Sequence, residues 1–349
     1  MYGINRRFVL TKSRMISVAM NGKRGLTTSS GLKHLVNMLQ LSDKELESLV
    51  DKGLAYKKQV RSGEPTPKAA LGKLAGKLVS MLFSKRSTRT RISTEGAAAY
   101  FGASPMFLGK DDIQLGKNES VYDTVRVLSS MTACIFARVD EHQDIVDLCK
   151  GSSVPIINSL CNRFHPLQAI ADILTIKQAF VNTSNLKLAW VGDPNNVFND
   201  LAIAALKSNI SVSACVPSTL PFDPEVLNAA REVAKEKNVT FEIVHEPLIA
   251  IKDANVIVTD TWVSMGQEGQ KEQKLKMFEG YQITNDLIEK SKAAENWKFM
   301  HCLPRHPEEV DDSVFYSEKS LVFEEAENRL YAAMAVIEAF VINKGDLLK

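Results

Sequence analysis

The stretch Ser84-Lys85-Arg86-Ser87-Thr88-Arg89-Thr90-Arg91 holds four basic side chains and four hydroxyls in eight residues. An apolar run, Leu78–Phe83, precedes it, and residues 92–101 after it read as a helix. A strand that feeds a helix through a Ser/Thr/Arg turn is built to hold an anion. The first amides of a helix have no intrahelical acceptors, and the helix dipole adds partial positive charge there. Ser87, Thr88 and Thr90 can donate through hydroxyls, and the planar fork of Arg89 matches phosphate oxygens. The ordinary alternative is a solvated basic face with Ser or Thr as helix caps. Four cations at a helix N-terminus repel one another unless an anion is present, so the turn is read as a phosphate site.

Three further constellations could do chemistry. His165-Pro166-Leu167-Gln168 opens a helix, with Pro166 suited to the first helical position and His165 and Gln168 on one face. Both side chains could donate to a polarised carbonyl oxygen; a capping His with a surface Gln is the plainer reading. Asp260-Thr261-Trp262-Val263-Ser264-Met265-Gly266 offers a carboxylate, a hydroxyl and loop amides. Asp260 with Ser264 suits an ammonium group, and the Met265 amide with an Asn suits a carboxylate, which together describe the backbone end of an amino acid. His301-Cys302-Leu303-Pro304-Arg305-His306 puts a thiol at a strand end. A buried inert Cys is its usual fate, beside the options of a Cys-His nucleophile or a zinc ligand lacking a second Cys/His pair. Gly192-Asp193-Pro194-Asn195-Asn196 stands where a dinucleotide fold would carry GxGxxG and lacks that spacing, and no GxxxxGK[ST] occurs. Turn and capping chemistry competes for Asn195 and Asn196.

These segments need a scaffold, and the periodicity supplies one. Ser42 with Glu45 forms a capping box for a helix to about residue 59, within a helical pattern that begins at Leu35. Strands are expected at 77–83, 105–108, 133–139 and 154–158, with helices at 88–101, 120–130, 143–150 and 165–180. After a polar hinge at 182–185 the alternation restarts. Strands are expected at 187–191, 211–216, 240–244, 256–259 and 298–301, with helices to 208, at 224–238 and at 247–254. Residues 268–276 read as a charged loop, and a helix at 325–343 closes the chain. Strands separated by helices imply parallel βαβ units. The fold class is α/β, with two doubly wound parallel-sheet domains and the active site in the cleft between them. In such sheets ligands sit beyond the carboxyl ends of strands, where Ser87–Arg91, Arg138, His165, Asn195–Asn196, Asp260 and Cys302 all fall.

The chain has 349 residues, a formal net charge of +2 and five cysteines. That charge gives no argument for nucleic acid or a membrane surface. An odd cysteine count without CxxC argues against a disulfide framework. Residues 1–42 contain seven Lys or Arg and no Asp or Glu. With Ser and Thr frequent, they read as a mitochondrial transit peptide, cleaved between Arg24 and His34, or alternatively as a basic tail that stays on.

Taken in order, Ser87-Thr88-Arg89-Thr90-Arg91, His165-Pro166-Leu167-Gln168, Asp260–Gly266 and His301-Cys302-Leu303-Pro304 resemble the aspartate/ornithine carbamoyltransferase superfamily. The last two motifs resemble its ornithine branch, of the anabolic, mitochondrial type. The resemblance implies transfer of a carbamoyl group from carbamoyl phosphate to the δ-amine of L-ornithine, in arginine biosynthesis or the urea cycle. It implies no metal and no organic cofactor. Ser87, Thr88, Arg89 and Thr90 would bind the phosphate; Arg138, His165, Gln168 and Arg329 the carbamoyl end. Asn196, Asp260, Ser264 and Met265 would hold ornithine, with Cys302 and Leu303 near its δ-amine. Gln114 would reach a neighbouring subunit's site in a homotrimer with shared sites. The implied divisions are a transit peptide (1–33), a carbamoyl phosphate half (34–182, completed by 325–349) and an ornithine half (183–324), in a protein of the mitochondrial matrix. A sister transferase acting on aspartate, putrescine or an acylated ornithine is the competing enzyme. A non-catalytic regulator with the same fold is the competing class.

Overall fold

A computed structural model of the chain describes residues 31–113, 119–263, 269 and 271–349. The strands are β1 (Leu78–Phe83), β2 (Ser104–Gly109), β3 (Cys134–Arg138), β4 (Ile156–Leu160), β5 (Lys187–Val191), β6 (Ser211–Cys215), β7 (Phe241–Val244), β8 (Val256–Val258) and β9 (Lys298–Met300). They form two sheets, ordered β2-β1-β3-β4 and β7-β6-β5-β8-β9, and every ladder between them is parallel. Central strands such as β1 and β3 are buried almost throughout. Helices cover both faces of a parallel sheet, so central strands become unbroken apolar runs. β2 is an edge strand whose first half is exposed, and there Pro105 forfeits no ladder bond of consequence.

Local signals account for the helix starts. Ser42 and Glu45 close the expected capping box of helix Asp43–Arg61. Ser87, Ser120, Asn195, Asp223 and Thr284 each accept amide hydrogens at the start of a following helix. Three expectations are corrected, and three short helices are added. Leu35 does not start a helix; it pairs in parallel with Ile157, covering the free edge of β4. The charged segment near 268–276 contains a helix, Lys271–Met277, where Leu275 packs inward and Lys274 is paired with Asp193 at 2.6 Å. Short helices at Lys68–Leu71, Asn285–Ser291 and Asp312–Phe315 lie in stretches whose apolar periodicity is too brief to read. The closing helix begins earlier, at Val322, and passes into a π-helical turn at Ile337–Ile342.

The helix Val322–Val336 decides the shape of the molecule. It follows the second sheet in sequence yet packs against helices Asp43–Arg61, Thr88–Tyr100 and Pro166–Ala179 of the first half. The chain therefore crosses between the halves twice, and residues near its end return to the mouth of the first sheet.

Candidate active site

Each sheet has a point where the strand order reverses, and there the loops diverge to leave a crevice. In the first sheet this lies between β1 and β3. The turn after β1 holds Ser87–Thr90, β3 ends at Arg138, and the Ser84 amide donates to the Arg138 carbonyl at 2.8 Å. In the second sheet it lies between β5 and β8, where Asn195 Nδ2 donates to Asp260 Oδ2 at 2.7 Å. The two crevices face each other across a cleft of about 890 Å³. Its walls include Ser87, Arg89, Thr90, Arg138, His165, Gln168, Asn196, Asp260, Cys302, Leu303 and Arg329. Thr88, the first residue of its helix, has an exposed side chain outside this lining. Gln114, Ser264 and Met265 lie outside the described residues.

Three guanidinium groups converge on the first-half wall. Ser87 Oγ caps the helix by accepting the Thr90 amide and also donates to Thr90 Oγ1 at 3.0 Å. Arg89 reaches across the cleft to donate to the Leu303 carbonyl at 2.5 Å. Burial, then the charge of Arg89, lowers Arg138 to about 10. Burial, then Arg138 and Arg89, lowers Arg329 to about 10. Arg138 and Arg329 remain cations at neutral pH, and the repulsion among the three guanidiniums is a standing cost that a bound dianion would offset.

Arg329 organises the wall. Its Nη1 donates to His165 Nε2 at 3.0 Å and to Gln168 Oε1 at 2.6 Å, and its Nη2 donates to Thr90 Oγ1 at 3.2 Å. Burial, followed by Arg329, Arg138 and Arg89, holds the His165 imidazole well below its ordinary range. It is therefore neutral. Because arginine only donates, Nε2 is the acceptor and the ring proton sits on Nδ1. Three buried donors on this wall, Arg138 Nε, Arg329 Nε and His165 Nδ1, have no hydrogen-bond partner among the described residues. Buried donors are ordinarily paired, so these mark where acceptor oxygens belong. The expectation that Gln168 donates is corrected. Its Nε2 donates to Asp172 at 2.8 Å and to Glu325 at 2.9 Å, so toward the cleft it presents an oxygen.

On the opposite wall Asp260 accepts from Asn195 and from Cys302 Sγ, the latter at 3.1 Å. Burial, then the charge of Asp260, drives the Cys302 thiol well above its ordinary range. It is a thiol that donates to Asp260, which disfavours the reading of Cys302 as a nucleophile. Asn196 Nδ2 is turned to the Cys161 carbonyl at 2.6 Å. Asp200 accepts the His165 amide at 2.7 Å and the Met38 amide at 2.6 Å, tying the second half to the start of the His165 helix. Among the described residues no three His, Cys, Asp or Glu side chains are grouped to hold a metal ion.

Sequence reasoning missed Asn195 as a partner of Asp260, and Asp172, Asp200 and Glu325 entirely. The i,i+4 spacings of Gln168 with Asp172 and of Glu325 with Arg329 were the available signal. Nothing in the sequence says that these two helices meet.

Comparison with known proteins agrees with this geometry. Residues 33–178 match the carbamoyl-P binding domain of aspartate/ornithine carbamoyltransferase, and residues 184–340 match its Asp/Orn binding domain. The chain therefore belongs to the aspartate/ornithine carbamoyltransferase family. It is 61% identical over 342 residues to an ornithine transcarbamylase, mitochondrial, of Pachysolen tannophilus, covering 97% of this chain and 98% of that one. It is 54% identical to the ornithine carbamoyltransferase of Saccharomyces cerevisiae, covering 92% of this chain and 97% of that one. The crystal structure of a mitochondrial ornithine carbamoyltransferase from Coccidioides immitis superposes with a TM-score of 0.84 at 50% identity, covering 90% and 99% of the two chains.

Proposed function

We propose that the cleft transfers the carbamoyl group of carbamoyl phosphate to the δ-amine of L-ornithine, releasing L-citrulline and phosphate. The observation that carries the reading is the wall of three guanidiniums, with buried donors unpaired among the described residues, facing buried Asp260 and its partner Cys302. One wall suits a dianionic acyl phosphate, and the other suits a substrate carrying ammonium.

The chemistry follows from these positions. The phosphate rests on the helix start at Ser87–Thr90, held by Arg89 and the hydroxyls. The carbamoyl oxygen lies among Arg138, Arg329 and the Nδ1–H of His165, donors that stabilise charge as it develops in the tetrahedral intermediate. The neutral δ-amine attacks the carbamoyl carbon, a C–N bond forms and the C–O bond to phosphate breaks. The amine's proton passes to the departing phosphate or to Asp260. Cys302 keeps its own proton and orients Asp260. Asp260 and Asn196 hold the amino-acid end, together with Ser264 and Met265, which lie outside the described residues. No step calls for a metal or an organic cofactor.

The remaining assignments are proposals of the same kind. Residues 1–33 are a transit peptide to the mitochondrial matrix, and two close relatives bear mitochondrial names. Residues 34–182 with 325–349 form the carbamoyl phosphate domain, and 183–324 the ornithine domain. The enzyme is a homotrimer in which Gln114 serves a neighbouring site. A colorimetric citrulline assay with ornithine, and carbamoylation assays with aspartate, putrescine and an acylated ornithine, test the function. Turnover with ornithine alone is expected, and no turnover of ornithine overturns the reading.

A further inference from the structure

Behind the carbamoyl end of the cleft, two helices interlock through side chains spaced one turn apart. Gln168 and Asp172 project from helix Pro166–Ala179, and Glu325 and Arg329 from helix Val322–Val336. The Gln168 amide spends both hydrogens on carboxyl oxygens, on Asp172 Oδ1 at 2.8 Å and on Glu325 Oε1 at 2.9 Å. Its oxygen accepts from Arg329 at 2.6 Å. Reversing the amide would set its NH2 against a guanidinium that can only donate, so this orientation is imposed. Glu325 is itself held from just beyond β9, where its Oε2 accepts the His301 amide at 2.9 Å. Asp172 and Glu325 are 1% and 2% exposed. Burial raises both carboxyls, and for Glu325 the charge of Asp172 adds to it. Two carboxyls adjoining in a dry site cannot both ionise readily, so the pair keeps one proton between them.

We propose that Asp172 and Glu325 are positioning residues that make Gln168 an obligate acceptor, so that the site selects an acyl phosphate bearing N–H on its acyl carbon. One lone pair of the Gln168 oxygen is taken by Arg329, and the second is left for the substrate. A carbamoyl NH2 satisfies it. The methyl group of acetyl phosphate leaves a buried acceptor unpaired, which is how a polar pocket rejects a near-isostere. The inference rests on the carbamoyl-transfer reading above.

The test is competition binding of carbamoyl phosphate and acetyl phosphate to the full chain and its variants, with thermal unfolding and citrulline formation measured alongside. In Glu325→Gln a single oxygen must serve two donors, the His301 amide and the Gln168 amide, so the Gln168 NH2 is left with Asp172 as its one secure acceptor. In Asp172→Asn the oxygen still accepts from Gln168 and the NH2 donates to an ionised Glu325, so the singly charged pair survives. The unsubstituted protein is expected to favour carbamoyl phosphate by about tenfold or more, the worth of one buried hydrogen bond. Asp172→Asn should stay within about threefold of that preference, and Glu325→Gln should lose most of it. Should Glu325→Gln fail to fold, the contrast between Asp172→Ala, which deletes an acceptor, and Asp172→Asn carries the test alone. Full selectivity in a folded Glu325→Gln or in Asp172→Ala overturns the inference. So does equal loss in Asp172→Asn and Asp172→Ala, since that is the pattern of a merely structural role. If the unsubstituted protein makes no citrulline, the carbamoyl-transfer reading itself falls. Citrulline formed with selectivity unchanged by any variant sinks only the positioning role.

Discussion

His165→Asn and His165→Gln separate the two nitrogens of the imidazole, because the Asn amide reaches the place of Nδ1 and the Gln amide that of Nε2. Nε2 is occupied by Arg329 at 3.0 Å, whereas Nδ1 has no partner among the described residues. If Nδ1–H stabilises the carbamoyl oxygen, Gln keeps the Arg329 contact and loses the working donor. Loss of one preorganised donor to a developing oxyanion costs about 10²–10³ in kcat, or roughly 3–4 kcal/mol. His165→Gln should therefore lose about 10²–10³ in kcat with little change in KM for carbamoyl phosphate. His165→Asn keeps an N–H at the working position and frees Arg329, so its kcat should fall by only about tenfold while KM rises. The assay is initial-rate citrulline formation at saturating ornithine over a carbamoyl phosphate series from about pH 6 to 9, with thermal melts to confirm folding. Because burial, and after it three guanidiniums, hold His165 neutral, the profile of the unsubstituted enzyme should show no limb from this residue near its ordinary value. A His165→Gln variant faster than His165→Asn would refute the assignment of Nδ1. So would a limb near pH 6.5 that both substitutions abolish.

Two further outcomes are expected. Arg89→Ala should weaken carbamoyl phosphate binding by about tenfold or more, since charge-assisted phosphate bonds are strong; calorimetric titration showing unchanged affinity would remove Arg89 from the phosphate site. His34 is buried, its Nδ1 accepts the Ile156 amide at 3.0 Å, and burial lowers it to about 4. Its folded value lies below its unfolded one, so this contribution is complete above about pH 6.5 and is lost as pH falls toward 4, amounting to about 3 kcal/mol. His34→Asn can accept the same amide without titrating. Buried Asp200, raised to about 7, acts in the opposite sense and is common to both proteins. Urea denaturation should therefore show the two curves diverging as pH falls from 7 to 4, and parallel curves would be the adverse result.

The sequence by itself determined the elements and the local half of the chemistry. Alternating apolar runs imposed parallel strands, because a strand covered on both faces must be apolar throughout. The turn Ser84–Arg91 was legible because an anion site at a helix start is built from neighbours in the chain. Asp260 and Cys302 were legible as residues at strand ends, where a doubly wound sheet opens. The capping box at Ser42 and the boundaries of β5 were local matters too. Tertiary structure alone decided how these pieces act on one another. Arg329 is far from His165 in sequence, and only the return of helix Val322–Val336 to the first half joins them. That return makes His165 a neutral Nδ1 donor and turns the Gln168 oxygen to the cleft. The protonation of Cys302 was likewise undecidable from its neighbours, because burial beside Asp260 sets it. Spacing along a chain reports which groups share a helix face or a turn. Protonation state, tautomer and amide orientation depend on partners that only folding brings within about 3 Å.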